Sequence, residues 1–334
     1  MNLIEQCSII DYCTRSITMS SLQVIFGTGP AGSTLAEELI SQGQRVRCIN
    51  RSGKADLPAA VEVVAGDLLN QGQVNELCQG AKVVYHCANV HYAEQTKIMP
   101  QFQQTIMQAS AAAGARLVVL DTLYVYGSSQ GRPMTEATPF APHTRKGRMR
   151  ADLVETYLAA HRAGTLEVTL GRAADFFGPR VLNSSLGDRV FPMLLQHKPA
   201  QLLGNIDLPH SFSYIGDVAR GLALLGQHPA ALGQAWHLPV MPALTQRAML
   251  QTIGTLLDYP VRSIALPKMA IQAFGLMDSF MREFVEMFYQ YTEPQIVDAQ
   301  AIERQLGLAA TPLEQALQTT INWYRGQNQQ KAAA

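Results

Sequence analysis

The sequence predicts an α/β protein built on a Rossmann-type doubly wound parallel sheet, with a smaller mixed α/β substrate lobe towards the C-terminus. Two observations predict this class. Short segments rich in valine and isoleucine alternate with helical segments through the first half of the chain, an order that is typical of parallel sheets covered by helices. The first strand also runs directly into a glycine-rich turn at residues 27–32, as in dinucleotide-binding sites.

The composition is that of a soluble globular protein. Hydrophobic residues make up 47% of the 334 residues and charged residues 16%, which favours a packed core over disorder. The formal net charge is zero, so the charge balance gives no reason to expect nucleic acid or a membrane as partner. The five cysteines form no CxxC pair and do not cluster with histidine. We therefore expect free thiols, no metal site and a reducing, cytoplasmic location.

Three segments organise the chain. We expect residues 1–20 to form a loose N-terminal extension, because charged residues interrupt its apolar positions and Met19 comes just before the first strong strand. A short docking helix is the alternative for this extension. Residues 21–172 are predicted to form the NAD(P)-binding Rossmann domain. Residues 173–330 are predicted to form a substrate-binding lobe, with some strands and helices returning to the Rossmann core.

The glycine-rich turn is the predicted phosphate-binding site. It follows the strand LQVIF (22–26) and precedes the helical pattern of residues 33–43, and this order brings a pyrophosphate to free N–H groups at a helix N-terminus. The first glycine would allow the tight turn, the second would admit the pyrophosphate, and the third would let the helix pack on the strand. An ordinary βα turn is the alternative. The residues assigned to the site are Gly27, Thr28, Gly29, Pro30, Ala31 and Gly32.

The end of the second strand, RVRCIN (45–50), bears on the choice of cofactor. NAD-binding sites usually place an acidic residue here, which accepts hydrogen bonds from the adenosine ribose. In this sequence Asn50 is followed by Arg51, and an arginine can pair with a 2′-phosphate. We therefore expect NADP to be preferred over NAD. The alternative is that Arg51 is an ordinary solvated charge.

Three further strands complete the predicted sheet. VEVVAGDLLN (61–70) contains Asp67, a candidate adenine contact. AKVVYHCAN (81–89) ends in small residues, so that Ala88 would let the cofactor lie close. ARLVVLDTLYVYG (115–127) is the predicted fifth strand.

Seven segments of the chain occur in an informative order. They are GTGPAG (27–32), GDLLN (66–70), DTLYVYG (121–127), TEATPFAP (135–142), GRAADFFGPRV (171–181), SFSYIGDVARGLALL (211–225) and TPLEQALQTTINWYR (311–325). In order and spacing they resemble the short-chain dehydrogenase/reductase superfamily, in its extended branch of nucleotide-sugar epimerases and dehydratases. The resemblance covers nearly the whole chain after Ser20. It implies a first half that binds the dinucleotide and a smaller lobe over the nicotinamide.

In that superfamily a serine or threonine, a tyrosine and a lysine four residues after the tyrosine carry the chemistry. The i, i+4 spacing puts the last two on one helix face, where the tyrosine transfers the proton while the lysine holds the nicotinamide ribose and lowers the pKa of the phenol. The resemblance assigns Thr122 to the first position, Lys146 to the tyrosine position and Arg150 to the lysine position. No YxxxK occurs in the sequence, so the usual acid is absent.

Three interpretations of this replacement are open. In the first, Lys146 and Arg150 only hold the cofactor, since arginine offers several fixed donors to a ribose hydroxyl or a phosphate. In the second, Lys146 is the acid/base, with a dry pocket and the neighbouring cation lowering its pKa. In the third, both belong with Arg145 and Arg148 to a solvated basic helix face.

Other side chains could serve the same site. Tyr124 lies two residues after Thr122 and would point to the same side of a strand, and Tyr126 would do so if the strand extended that far. Buried aromatic residues at strand ends are more often packing. Asp175 and His210 fall in segments that resemble the superfamily's substrate-facing loops, and we expect them to contact substrate, although a lone histidine is more often structural.

These observations predict an NAD(P)-dependent oxidoreductase or epimerase/dehydratase-like enzyme that acts on a sugar-like or small carbonyl or alcohol substrate. A catalytically silent NADP-binding sensor or regulatory protein is the alternative. Residues 267–291, rich in methionine and aromatic side chains, are here called the lid segment, because they could close over the substrate cleft. Their apolar positions exceed one helix face, so a core role or a homodimer contact is also open.

Overall fold

The computed structural model describes residues 21–333. The extension expected over residues 1–20 lies outside this range. The strands are β1 Leu22–Phe26, β2 Arg45–Asn50, β3 Val61–Ala65, β4 Ala81–His86, β5 Arg116–Thr122, β6 Val168–Ala173, β7 Asp175–Phe177, β8 Ala200–Leu203, β9 Pro209–His210, β10 Phe212–Tyr214, β11 Ala235–His237, β12 Leu244–Thr245 and β13 Ser263–Leu266. The α-helices are α1 Pro30–Ser41, α2 Gln71–Cys78, α3 Gln95–Ala112, α4 Arg145–Arg162, α5 Phe191–Leu195, α6 Ile215–Gln227, α7 Gln246–Leu257, α8 Lys268–Phe274, α9 Ser279–Phe284, α10 Gln300–Leu306 and α11 Leu313–Ala333. Short 3-10 helices span Leu123–Tyr126, Pro229–Ala231 and Val285–Tyr291.

Seven strands form one parallel sheet in the order β11-β6-β5-β4-β1-β2-β3. The predicted doubly wound parallel sheet is confirmed. All five residues of the central strand β1 are buried, because helices cover both faces of the sheet. The strand order changes direction between β1 and β4, and open sheets of this kind bind ligands at the carboxyl ends of the strands beside that point.

Two apolar cores lie on opposite faces of the sheet. Residues of α1 and α6, such as Leu35 and Leu222, pack in one core. Residues of α2, α3 and α4, such as Val74, Ile106 and Leu153, pack in the other. The sheet is therefore sealed from water on both sides, which leaves its carboxyl edge as the place for a site.

The second half of the chain builds a smaller mixed lobe. β7 pairs with β10 and β8 with β13 in parallel, whereas β9 and β12 are antiparallel. This lobe has its own core, which includes Phe191, Met249 and Ile321. α6 and β11 return to the large sheet, as expected of some elements that follow residue 172.

The strands β3 and β5 end earlier than the sequence pattern suggests. β5 ends at Thr122, opposite Ala173 at the end of β6, and the next four residues form a 3-10 helix. The continuation of the strand to residue 127 was therefore wrong, because no partner strand extends past Ala173. β3 likewise ends at Ala65, so Asp67 lies in the turn that follows.

Candidate active site

The glycine-rich turn has the geometry that a bound pyrophosphate requires. Gly27 has a φ of +100°, and a Cβ there would lie 2.7 Å from the Cα of Ala88. A Cβ on Gly32 would lie 1.9 Å from the carbonyl oxygen of Gly27, whereas a Cβ on Gly29 would meet nothing within 4 Å. Gly29 is the N-cap of α1 and no side chain caps that end. The helix N-terminus therefore opens onto free space that a phosphate can fill.

Asn50 connects this turn to the loop after β2. Its Nδ2 donates to Thr28 Oγ1 at 2.7 Å, and its Oδ1 accepts from the backbone N–H of Gly53 at 2.7 Å. The next residue, Arg51, is exposed at the rim of the turn. Asn50 thus holds the loop in place, and the positive charge belongs to its exposed neighbour.

The remaining residues assigned to the dinucleotide lie at the same sheet edge. Ala88, directly after β4, packs on Gly27. Asp67 is exposed, and its Oδ1 accepts from the backbone N–H of Leu69 at 3.0 Å. Its contact with adenine stays a prediction.

Three buried polar atoms on β4, β5 and α4 have no hydrogen-bond partner within the described chain. They are Nδ1 of His86, the hydroxyl of Thr122 and Nε of Arg150. Arg150 is 6% exposed, and no carboxylate of residues 21–333 pairs with it. Burial, together with the charge of Arg150, lowers the pKa of His86 to about 3, so this histidine is neutral. Unpartnered buried groups are costly, and a ligand with hydroxyl or phosphate oxygens would satisfy them.

The two tyrosines after Thr122 have different surroundings. Tyr124 accepts a hydrogen bond from the hydroxyl of Tyr92 at 3.2 Å. Burial raises the pKa of Tyr124, and the carboxylates of Asp175 and Glu286 add to the rise. The hydrogen bond from Tyr92 and the charge of Arg150 oppose it. Tyr126 accepts from Arg172 Nη1 at 2.6 Å, and its hydroxyl lies 2.6 Å from His237 Nε2. Tyr126 thus has two buried side-chain partners, whereas the described side-chain partner of Tyr124 is Tyr92.

Lys146 lies beneath the lid segment. Its side chain is 1% exposed, and its Nζ donates to Glu283 at 2.6 Å and to Glu286 at 2.8 Å. The ammonium also lies 4.5 Å from the ring centroid of Tyr92. The ammonium is therefore fixed between two carboxylates and an aromatic ring.

The interpretation of a solvated basic helix face applies to only two of the four basic residues. It is wrong for Lys146 and Arg150, which are buried, and it describes Arg145 and Arg148, which are exposed. The sequence reasoning missed Glu283 and Glu286. Their signal was the pair of acids at i, i+3 in the apolar stretch MREFVEM of the lid segment, since two acids among apolar residues need a buried cation.

Asp175 and His210, predicted separately, lie together in the structure. His210 Nε2 is 3.2 Å from Asp175 Oδ2, and the hydroxyl of Tyr291 donates to the same oxygen at 2.7 Å. Burial opposes ionisation of Asp175, but the hydrogen bonds from His210 and Tyr291 outweigh it and lower the pKa of the carboxyl. Tyr291 ends the lid segment, so this cluster is a second point at which the lid meets the site.

Comparison with known proteins identifies the family. A model of the NAD dependent epimerase/dehydratase family matches residues 24–238. The chain belongs to this family. Among curated members and relatives, it is 26% identical over 223 residues to a dTDP-glucose 4,6-dehydratase of Streptomyces griseus, an alignment that covers 66% of this chain and 62% of that protein. An uncharacterized protein of Sinorhizobium fredii is 23% identical, with 68% and 64% covered. The chain thus spans less than two thirds of the length of these relatives.

Solved structures of the epimerase/dehydratase type share the fold. The dTDP-glucose 4,6-dehydratase DesIV from Streptomyces venezuelae, solved with NAD and TYD, superposes with a TM-score of 0.75 at 21% identity, covering 92% of this chain and 98% of that one. The UDP-glucose 4-epimerase from Thermotoga maritima gives a TM-score of 0.76 at 17% identity, with 92% and 99% covered. The described helices include none with the length and apolar character of a membrane span. In the same residues no three His, Cys, Asp or Glu side chains gather to hold a metal ion.

Proposed function

We propose that this protein is an NAD(P)-dependent oxidoreductase or epimerase-like enzyme for a sugar-like carbonyl or alcohol, with Tyr124 as its acid/base. The observation that carries this proposal is Tyr124 near the charge of Arg150 and two residues after Thr122, whose hydroxyl, like Nε of Arg150, is buried without a described partner at the carboxyl edge of the sheet. The family membership and the names of the relatives, which act on nucleotide sugars, support the substrate class.

The dinucleotide would be held by residues that already have the required geometry. The open space at Gly29 fits the pyrophosphate, and the unpartnered donors of Thr122 and Arg150 fit the nicotinamide ribose and the substrate oxygen. Exposed Arg51 beside the turn supports a preference for NADP, because its guanidinium can pair with a 2′-phosphate. When bound, the nicotinamide supplies the hydride acceptor or donor.

Tyr124 has the properties of a proton donor to a carbonyl. Because burial raises its pKa, the phenol carries its proton at neutral pH. The charge of Arg150 would stabilise the phenolate that forms after transfer, and the hydroxyl of Tyr92, which donates to Tyr124 at 3.2 Å, would hydrogen-bond to that phenolate. Lys146, fixed between two carboxylates, would position Tyr92 and the lid segment rather than exchange protons.

The proposal is tested with purified protein, NADP or NAD, and a panel of nucleotide-diphosphate sugars and simple sugars. We expect substrate-dependent appearance of reduced nicotinamide, seen by its fluorescence, or a changed sugar identified by mass spectrometry or NMR. The enzymatic proposal would be contradicted if the protein bound the dinucleotide but converted no sugar of the panel with either NADP or NAD.

One observation favours a sensor as the second candidate. The resemblance assigns Lys146 to the position of the family's tyrosine, and in the structure Lys146 bonds to the lid segment through Glu283 and Glu286. A silent protein could use this contact to report dinucleotide binding to the lid. Hydrogen exchange of residues 267–291 with and without NADPH, measured on a protein that shows no turnover, would distinguish this candidate.

A further inference from the structure

A cleft on the outside of the molecule lies between the N-terminus of α4 and the lid segment. Its volume is about 490 Å³. We call it the cationic cleft, after the side chains that line it: Arg145, Arg148, Lys268 and Arg282, with His143 and Tyr289. The volume would hold a small phosphorylated molecule.

The charges of this cleft do not balance. One carboxylate, Glu286, lines the cleft. Lys146 and Arg145 bond to it and to Glu283, which lies three residues earlier in the lid segment. The other three cations, Arg148, Lys268 and Arg282, have no carboxylate partner within residues 21–333. Arg148 is held in place, since its Nη1 donates to the carbonyl oxygen of His143 at 2.9 Å.

This local excess contrasts with the chain as a whole, whose formal net charge is zero. Three unpaired cations in one concave surface create a local positive potential, and low-dielectric walls focus it. The cations come from α4, α8 and α9, so a single anion between them would bridge the first domain and the lid segment.

We propose that the cationic cleft is a binding site for a soluble phosphate-bearing ligand, of the size of a pyrophosphate or a nucleoside diphosphate. The site is separate from the glycine-rich turn, and it does not rest on the proposed enzymatic function. Arginine and lysine together suit such a ligand, because guanidinium groups bind phosphate oxygens in pairs and ammonium groups act as point charges.

The ligand would also act on the lid segment. Arg145 lines the cleft and bonds to Glu283 at 2.9 Å. A bound phosphate would compete with that carboxylate for the guanidinium. We therefore expect occupancy of the cleft to change the protection of residues 279–291 from hydrogen exchange.

The test uses isothermal titration with sodium pyrophosphate in a buffer that contains a chelator and no divalent cation. We expect the cleft to bind one pyrophosphate per chain, with an affinity that falls as salt rises. The variant R148Q/K268Q/R282Q should bind at least about tenfold more weakly, because each lost cation removes a charge-assisted contact. The matched control K82Q/K97Q/R132Q removes the same number of exposed charges outside the cleft, and it should bind like the parent. Thermal unfolding checks that both triple variants are folded.

Two further experiments distinguish the cleft from the dinucleotide site, and a soluble phosphate ligand from a lipid headgroup. In Gly29→Val, pyrophosphate binding should persist, and its loss there would assign the binding to the dinucleotide site and overturn the proposal. UDP should bind with the same dependence on the three cations. The proposal would also be overturned if the two triple variants lost binding equally. Binding to phosphatidylglycerol vesicles without binding to pyrophosphate or UDP would overturn it as well.

Discussion

At the residue scale, two buried cations on one face of α4 have different surroundings. Lys146 and Arg150 keep the i, i+4 spacing that the superfamily resemblance implied, but Lys146 bonds to the lid carboxylates while Arg150 lies unpaired beside Tyr124. The sequence predicted these positions. It could not predict the partners of Lys146, because Glu283 lies 137 residues away and only the folded chain brings the two together.

Tyr124→Phe tests the proposed acid. Removing the hydroxyl deletes a proton donor and leaves the ring packing unchanged, so we expect kcat/KM to fall about 10²- to 10⁴-fold with dinucleotide affinity almost intact. Steady-state kinetics and calorimetry measure the two quantities. In Tyr126→Phe the main loss should be stability, since that phenol bonds to Arg172 and His237. Full turnover in Tyr124→Phe would refute the assignment.

Lys146→Met tests the ion pairs under the lid. The methionine leaves Glu283 and Glu286, which are 18% and 19% exposed, with only Arg145 as a cation. We expect a loss of about 2–3 kcal/mol in the free energy of unfolding, below the cost of a fully buried pair because water reaches both carboxylates. Urea unfolding measures the change. Arg148→Met, at an exposed position of the same helix, should stay within about 0.5 kcal/mol of the parent.

Arg51→Ala tests the cofactor preference. If the guanidinium pairs with a 2′-phosphate, its loss should weaken NADPH binding by about 1.5–3 kcal/mol and leave NADH binding unchanged. Calorimetry with both dinucleotides measures the difference. Lys54→Ala is the control, at an exposed position in the same loop. Equal affinities for NADPH and NADH in the parent protein would show that Arg51 is an ordinary solvated charge.

At the element scale, agreement between sequence and structure depends on strand partners. β1 and β2 match the predicted residues 22–26 and 45–50, because both pair with a neighbouring strand on each side. The prediction extended β5 beyond its observed end at Thr122, because valine and tyrosine favour strands even where no partner strand exists. The lid segment was recognised by its composition. The acids at i, i+3 within it signalled a cation partner, but no local pattern could identify that partner as Lys146 or show the contact with Asp175.

The lid should open at low pH. Burial opposes ionisation of Glu283, but its bonds with Lys146 and Arg145 outweigh burial and hold the pKa of this carboxyl below its ordinary value of 4.5. A depressed carboxyl pKa contributes stability that is present above the unfolded value and is lost as pH falls through the folded value. We therefore expect proteolysis within residues 267–291 to accelerate below about pH 4.5. Glu283→Gln should remove most of this pH dependence, and an unchanged profile in that variant would refute the explanation.

At the scale of the whole molecule, the sheet edge collects residues that lie far apart in sequence. The glycine-rich turn after β1, Ala88 after β4 and Thr122 at the end of β5 all lie at the carboxyl ends of parallel strands. α6 and β11 come from the second half of the chain and complete the sheet. A cut after residue 172 would thus leave the Rossmann sheet without its last strand, so the two predicted domains are expected to fold together.

Substitutions of two glycines in the turn distinguish an effect on cofactor binding from an effect on folding. A Cβ on Gly29 meets nothing within 4 Å, and this residue has an extended backbone with φ −70° that valine can adopt. A Cβ on Gly32 would lie 1.9 Å from a backbone oxygen. Gly29→Val should therefore fold with a stability within about 1 kcal/mol of the parent, and its side chain should fill the space proposed for the pyrophosphate. Gly32→Val should lose much of its stability.

The measurement is the thermal shift on adding NADPH. A ligand at one hundred times its Kd stabilises the folded state by about 2.7 kcal/mol, which raises the melting temperature of the parent protein measurably. We expect no shift in Gly29→Val, although its melting temperature without ligand is near that of the parent. A parent-like shift in Gly29→Val would mean that the dinucleotide does not approach this turn. The proposed cofactor site would then be wrong even though the fold is that of the family.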